Sequence, residues 1–402
     1  MERVVIIGAG QAAAQGITSL RAEGFSGSIT LVGDEPYAPY QRPPLSKAYL
    51  NGTFERERIF LKPEAFYAEA RCELMLGVSA TKIDRAHKRL GLADSRSVSY
   101  DKLLIATGSR VRKIKLPGSE LPGVHYLRGI DDVDRLRAAF GSGRRLAIVG
   151  AGYIGLEVAA AARKLGLGVT VFEALDRVMA RAVSPIVSEF YARVHREAGV
   201  DLLLNTGIEG FSGKDRVDGV HAGGKSQFFD VVLVAVGIVP NCELAINAGL
   251  ACDDGIVVDS FCTSVTDPSI FAAGDCTRHH GRDGNQVRLE CVQNAIDQAR
   301  HAAMAMAGKP TPYSEVPWFW SDQYDLKLQI AGLAWASDRL LLRGDPATRK
   351  FAVFHLREGK VAAVEAINSP SEYLVGRKLI ADRAAVEPER LADINIPMKD
   401  VV

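Results

Sequence analysis

The chain has almost no net charge. Its 49 Lys plus Arg against 48 Asp plus Glu leave +1. Nucleic-acid binders ordinarily show a strong basic excess, so that class is disfavoured, although a balanced total hides local patches. Cysteine is sparse: Cys72, Cys242, Cys252, Cys262, Cys276 and Cys291, with no C-x-x-C pair. A chain of 402 residues is too long to need disulfide staples, so free thiols in a reducing cytoplasm are expected. Long apolar runs are missing too. The longest candidate, 146–172, is broken by Glu157, Arg163, Lys164 and several glycines, and so falls short of the ~20 residues a membrane-spanning helix needs. Strand-like residues begin at Arg3, which leaves no room for a signal peptide. What remains is an ordinary globular composition, 47% hydrophobic and 24% charged, enough for two to four domains.

The first segment reads strand, tight turn, helix, strand. Arg3-Val4-Val5-Ile6-Ile7 is nearly continuous in apolar, β-branched residues, as expected of a strand buried on both faces. Gly8-x-Gly10-x-x-Ala13 follows and opens an Ala-rich helical stretch over 11–23, with Ala12 in its first turn. Ile29-Thr30-Leu31-Val32 is the second strand, followed by Asp34 and Glu35 at the distance where an acid meets ribose hydroxyls. Glycines at such a turn let a pyrophosphate approach the backbone at a helix N-terminus.

The same grammar returns about 140 residues later, a spacing that suits two domains of usual size. Leu146-Ala147-Ile148-Val149 leads into Gly150-x-Gly152-x-x-Gly155, which includes Tyr153 and Ile154. A helix is expected over 156–165, then a strand closed by Glu173. A carboxylate at Glu173 accepts from a ribose 2′-OH and repels a 2′-phosphate, which favours NAD(H) over NADP(H). Arg177 and Arg181 follow closely and weaken that preference. A solvated strand-end charge is the plainer account of Glu173. The strand ending Ala106-Thr107-Gly108 has a counterpart ending at Gly237, which hints at duplication of a whole domain plan. From about Pro317 the texture turns aromatic and alternating, as in an antiparallel sheet. Two dinucleotide sites in one chain suggest a resident flavin and an exchanging nicotinamide.

Several segments resemble the FAD-dependent ferredoxin reductases of bacterial P450 and Rieske oxygenase systems, the putidaredoxin reductase-like type. They are Pro39-Tyr40-Gln41-Arg42-Pro43-Pro44-Leu45-Ser46-Lys47, Ala106-Thr107-Gly108, Gly150-Ala151-Gly152-Tyr153-Ile154-Gly155-Leu156-Glu157, Ala272-Ala273-Gly274-Asp275-Cys276 and Trp318-Phe319-Trp320-Ser321-Asp322-Gln323. The resemblance runs along essentially the whole chain. It implies an α/β fold of the glutathione-reductase-like plan with two Rossmann-type domains. FAD would bind to 1–112 and 241–316, NAD to 113–240, and an α+β domain would occupy 317–402. FAD would be tight and non-covalent, with NADH as co-substrate and a [2Fe–2S] ferredoxin as acceptor. Hydride would pass from NADH to FAD and electrons would leave singly. An NADH oxidase, a rubredoxin reductase or an NADH-sensing flavoprotein shares the same plan.

The resemblance also implies residue roles. Asp275, after Gly274, would accept from ribityl hydroxyls. Lys47 would sit by the flavin ring, where a fixed ammonium stabilises charge on the reduced ring. Glu157 would meet the nicotinamide amide or Lys47. Read without the resemblance, Lys47 is an exposed lysine and Glu157 a helix-surface charge. Further flavin contacts would map to Ala12, Asp34, Arg42, Ala80, Arg128 and Val292. Trp318 and Trp320 are either core aromatics or, for one of them, a ring between flavin and ferredoxin. Lys62, Arg300 and Lys399 match positions that present positive charge to an acidic ferredoxin, though each alone reads as a solvated charge. Cys276-x-x-His279-His280 supplies only part of a metal-ligand set. Flavoprotein disulfide reductases place a redox cysteine shortly after the second strand, and 37–52 contains none. Thiol-relay chemistry is therefore disfavoured.

Overall fold

The structure is a computed structural model and describes residues 1–335 and 337–401. It divides into two compact units: residues 1–41, 56–110 and 239–317, and residues 42–55, 111–238 and 318–402.

The first unit is built on a six-stranded sheet. Its strands run in the order Thr263–Ser264, Asp267–Ala272, Lys102–Ile105, Arg3–Ile7, Ser28–Gly33, Cys72–Leu76. All neighbours are parallel except the Thr263–Ser264 edge. Alternate residues of Arg3–Ile7 serve opposite faces. Val4 and Ile6 join a core with Ile17, Leu20, Ala299 and Ala303, from the helices Gln11–Ala22 and Val292–Met306. Val5 and Ile7 join a core with Leu90 and Leu92, from a three-stranded sheet of Ala80–Asp84, Arg89–Leu92 and Ser97–Ser99. Both faces are covered, which is why the sequence of this strand is apolar throughout. The chain proceeds from Arg3–Ile7 to Ser28–Gly33 on one side and to Lys102–Ile105 on the other. The crevice beyond its carboxyl end is therefore a topological switch point.

The second unit repeats that device. Its parallel sheet runs Val200–Leu203, Gly168–Phe172, Arg145–Val149, Val231–Val234, Val124–His125, with the order again reversing at the strand before the glycine turn. The helix after that turn is Tyr153–Lys164. It begins three residues earlier than the 156–165 read from sequence, because Gly152 is its cap. The same unit holds a five-stranded antiparallel sheet, in the order Trp318–Gln323, Leu326–Gly332, Lys360–Ile367, Lys350–Arg357, Arg339–Asp345. The helix Pro370–Asp382 packs on its Lys360–Ile367 and Leu326–Gly332 strands.

Trp318–Gln323 is an edge strand, and its two faces differ. Phe319 stacks on Tyr153 at 4.5 Å between ring centroids, and Ser321 meets Glu157. On the opposite face Trp318 lies 5.5 Å from Trp320 and 6.3 Å from Tyr373. A period of two thus sends Phe319, Ser321 and Gln323 toward the dinucleotide-type fold and the tryptophans away from it.

Candidate functional site

In the first unit, the helix Gln11–Ala22 starts at Gly10 with no side-chain cap and no acid in its first turn. Its first N–H groups and positive dipole end are left for an anion. Gly8 has φ +107°, and a Cβ there would fall 2.2 Å from the Ala106 carbonyl oxygen. The turn thus needs glycine for its own geometry and for the close approach of the Ala106-Thr107-Gly108 segment. Gly10 differs: a Cβ there would meet nothing within 4 Å. The protein does not need that space for itself, and a pyrophosphate fits the requirement. Gly274, at φ +88°, faces Ala12 and Ala295, whose Cβ atoms would be 3.6 and 3.5 Å from an added Cβ. The Gly8 turn and the Gly274-Asp275 turn are therefore brought together.

Asp34 is exposed at the strand end. The Glu35 carboxylate accepts from the Tyr40 hydroxyl at 2.6 Å. Asp275 accepts from the Ser109 hydroxyl at 2.7 Å. Val292 opens the helix Val292–Met306, and Ala80 opens the strand Ala80–Asp84.

A polar cluster under Gly274 escaped the sequence reading. Gln298, with no exposed surface, accepts from Gly274 N at 2.8 Å, Thr277 Oγ1 at 2.8 Å and Asn294 Nδ2 at 3.2 Å. Its Nε2 lies 3.1 Å from His279 Nδ1. Burial pushes His279 down to about 4, so it is neutral there and serves this cluster. Two polar residues four apart on an otherwise Ala-rich helix face, Asn294 and Gln298, were the available signal. Cys276 donates to the carbonyls of Ile105 and Ala273. Among the described residues no three His, Cys, Asp or Glu side chains form a metal-holding group. Lys62 lies 4.8 Å over the Phe66 ring, and Arg300 pairs with Asp297 at 2.6 Å.

In the second unit, Gly152 caps the helix Tyr153–Lys164, again with no side-chain cap and no acid in the first turn. Gly150 (φ +102°) lies against the Ala235 carbonyl, and a Cβ on Gly155 would fall 2.1 Å from the Gly150 oxygen. Gly152 and Gly237 face open space. The division matches that of the first turn: glycines for packing, and glycines that leave room. Glu173 accepts from Ala151 N at 2.7 Å and Leu175 N at 2.9 Å, so its carboxylate is fixed over the glycine turn. It is more than a solvated strand-end charge. Arg177 donates to the carbonyls of Val183 at 2.8 Å and Ala180 at 2.5 Å. Its guanidinium is thus engaged within its own loop. Arg181 is exposed, and Ile154 is 42% exposed.

The 42–55 segment belongs to this unit. Arg42 donates to the Arg128 carbonyl at 2.7 Å. Lys47 Nζ is 2.6 Å from Glu157 Oε2, with the Lys side chain 19% and the Glu side chain 2% exposed. The same carboxylate accepts from Ser46 Oγ at 2.5 Å on Oε2 and from Ser321 Oγ at 2.6 Å on Oε1. The plain readings of an exposed lysine and a helix-surface charge are both displaced by this geometry. Trp318 and Trp320 are each half-buried, Arg377 lies 5.9 Å over Trp318, and Lys399 is exposed.

Residues 2–299 match the pyridine nucleotide-disulphide oxidoreductase family, and residues 318–402 match a reductase C-terminal domain. Rhodocoxin reductase of Rhodococcus erythropolis is 46% identical over 400 residues, covering 98% of this chain and 93% of its own. Putidaredoxin reductase of Pseudomonas putida is 39% identical, covering 100% of this chain and 97% of its own. The crystal structure of a covalent putidaredoxin reductase–putidaredoxin complex superposes with a TM-score of 0.97 at 39% identity, covering 100% of this chain and 98% of the solved one.

Proposed function

The chain belongs to the pyridine nucleotide-disulphide oxidoreductase family and also carries a reductase C-terminal domain; from this premise we infer that it is an FAD-dependent NAD(P)H:ferredoxin reductase that prefers NADH and delivers electrons to a [2Fe–2S] ferredoxin serving a P450 or Rieske oxygenase. The carrying observation is the pair of glycine turns. Each leaves an uncapped helix N-terminus, and at Gly10 and Gly152 a space the protein itself does not fill.

FAD held here would supply the chemistry that links a two-electron hydride donor to a one-electron acceptor. We read 1–112 and 241–316 as the part that holds FAD. The Gly8–Gly10 turn receives its pyrophosphate, Asp34 or Glu35 its ribose, and Asp275 its ribityl chain. Residues 113–240 hold NADH, with Gly150–Gly155 at the pyrophosphate and Glu173 accepting from the 2′-OH. Glu173 sets the preference for NADH, because a 2′-phosphate would face a carboxylate already fixed by two backbone N–H groups. Two N–H groups of Arg177 are already committed to the carbonyls of Val183 and Ala180, which limits what it can donate to that phosphate. Lys47 and Glu157 are the catalytic pair. The carboxylate keeps the ammonium in place, and the ammonium stabilises charge developing on the reduced ring. Lys62, Arg300, Lys399, Trp318 and Trp320 are the residues we assign to contact with ferredoxin. Six free thiols suit a reducing compartment, and we place the protein in the cytoplasm. No helix among the described residues is long and apolar enough to cross a membrane.

The test is an anaerobic stopped-flow mix of the yellow holoprotein with NADH and, separately, NADPH, followed by ferredoxin with cytochrome c as reporter. Fast bleaching by NADH and ferredoxin-dependent cytochrome c reduction are expected. Fast bleaching without ferredoxin-dependent transfer would overturn the acceptor and move the reading to an oxidase, a rubredoxin reductase or a sensor.

A further inference from the structure

Glu157 is the inner end of a longer chain of hydrogen bonds. Ser321 Oγ is 2.6 Å from Glu157 Oε1, Gln323 Nε2 is 3.2 Å from Ser321 Oγ, His195 Nε2 is 2.8 Å from Gln323 Oε1, and Tyr324 OH is 3.1 Å from His195 Nδ1. Ser321 and His195 have no exposed surface and Gln323 has 1%, whereas Tyr324 is 39% exposed. The links come from the Tyr153–Lys164 helix, the Trp318–Gln323 strand and its following turn, and the Pro185–Glu197 helix.

The direction of every link follows from donor counting. The Glu157 carboxylate, paired with the Lys47 ammonium at 2.6 Å, only accepts. Ser321 has one hydroxyl hydrogen and must direct it to Glu157. It can then only accept from Gln323, so the amide NH2 faces Ser321 and the amide oxygen faces His195. The opposite amide orientation would put an acceptor against a hydroxyl whose hydrogen is already committed. His195 therefore carries its hydrogen on Nε2, leaves Nδ1 bare, and receives the Tyr324 hydroxyl there. All four donors point toward Glu157. Dipoles aligned in this way polarise one another and converge on the carboxylate. With Ser46 and Lys47 on the other oxygen, three protein partners take three of roughly four acceptor positions.

We propose that Ser321, Gln323 and His195 are positioning residues for the catalytic pair, a one-directional hydrogen-bond chain that fixes the Glu157 carboxylate in orientation and charge so that Lys47 is presented in a single geometry. The proposal rests on the reading above that Lys47 and Glu157 serve the hydride step. It gives the C-terminal sheet a part in that step through one face of its edge strand.

Two measurements on the holoprotein test it. The first is 15N NMR of histidine-labelled protein. His195 should show one protonated and one bare nitrogen, with hydrogen on Nε2. In Ser321→Ala the amide of Gln323 loses its acceptor and is released to turn, so the His195 signals should shift toward a mixture of tautomers. Hydrogen on Nδ1 in the unmodified protein, or signals unmoved by Ser321→Ala, would overturn the chain. The second is the limiting rate of flavin bleaching by NADH in Ser321→Ala and Gln323→Glu, with Glu157→Gln as reference. A fall of about tenfold is expected, with NADH affinity within about twofold, as misplacement of a reacting group affects rate before binding. If Glu157→Gln is slow and the other two match the unmodified protein, the chain is overturned and the catalytic pair stands. If Glu157→Gln also bleaches at the unmodified rate, the reading of the pair falls and the proposal falls with it.

Discussion

The two members of the Lys47–Glu157 pair are not equally replaceable. At 2.6 Å their attraction is about 6 kcal/mol at an effective dielectric constant near 20, most of it offset by taking both charges out of water. Substituting Lys47→Met leaves a carboxylate whose side chain is only 2% exposed, still held by Ser46 and Ser321. Breaking a buried pair this way costs roughly 3–5 kcal/mol, and two remaining hydroxyls put the expected value near 3. Substituting Glu157→Gln leaves an ammonium that is 19% exposed and still donates to the Pro43 carbonyl at 3.3 Å. It can rehydrate, so about 1 kcal/mol is expected. The double variant should cost about 2 kcal/mol, less than the sum of about 4, because it buries no unpaired charge. Urea unfolding of the four proteins, followed by circular dichroism, measures the cycle. Equal losses for the two single variants, or a double variant equal to their sum, would refute the argument that burial of Glu157 sets the asymmetry.

Gly152→Ala and Gly155→Ala should fail differently. The first adds a methyl group to open space and should leave a folded protein that binds NADH poorly, whereas the second drives a Cβ to 2.1 Å from the Gly150 oxygen and should reduce the yield of folded protein. Glu173→Ala should lower kcat/KM for NADH by roughly 10²-fold, while NADPH gains under tenfold because Arg177 stays with its carbonyls; steady-state kinetics with both nucleotides decides this. His195 and His279 are both pushed by burial to about 4 from an ordinary value near 6.5, so the unfolded chain takes up protons first as pH falls. Stability present above about pH 6.5 should therefore be lost between 6.5 and 4, by roughly 3 kcal/mol per histidine, and His195→Gln should flatten the slope of urea midpoint against pH. Arg343, 4% exposed, donates to the carbonyls of Leu391, Asp393 and Ile396, so Arg343→Met should speed hydrogen exchange across 386–401.

The parts legible in the sequence were those where one local pattern has one physical meaning. An apolar strand running into Gly-x-Gly and an alanine-rich helix reads as a phosphate turn because few other structures need that succession, and the fold places both turns accordingly. The glycines could not be sorted, since whether a missing Cβ makes room for the Gly150 oxygen or for a ligand depends on what lies opposite. The engagement of Arg177 was hidden for a related reason. An arginine near a ribose acid reads as a phosphate ligand until the carbonyls of Ala180 and Val183 are seen beneath it. The roles of Ser321 and Gln323 were invisible because a single serine or glutamine carries no signal, and Gln298 offered only its spacing from Asn294. Their roles arise from which face of a strand or helix they occupy, and from partners up to 164 residues away.

The sequence disfavours a thiol relay, and burial of the cysteines in the structure points the same way. None of the six thiols lies in 37–52, where a thiol relay would need one. Burial raises all six: Cys72 and Cys242 to about 12, Cys291 to about 11, and Cys252, Cys262 and Cys276 also upward. A thiolate is the reactive form, so none of them is poised as a nucleophile at neutral pH. The segment that would carry the redox cysteines instead carries Ser46 and Lys47, and both turn their polar atoms to the buried carboxylate of Glu157. A serine hydroxyl and an ammonium have no redox couple to pass electrons through. What they do here is hold the charge of Glu157 in place. Ser46 and Lys47, both set on the Glu157 carboxylate, thus occupy a segment that offers no thiol.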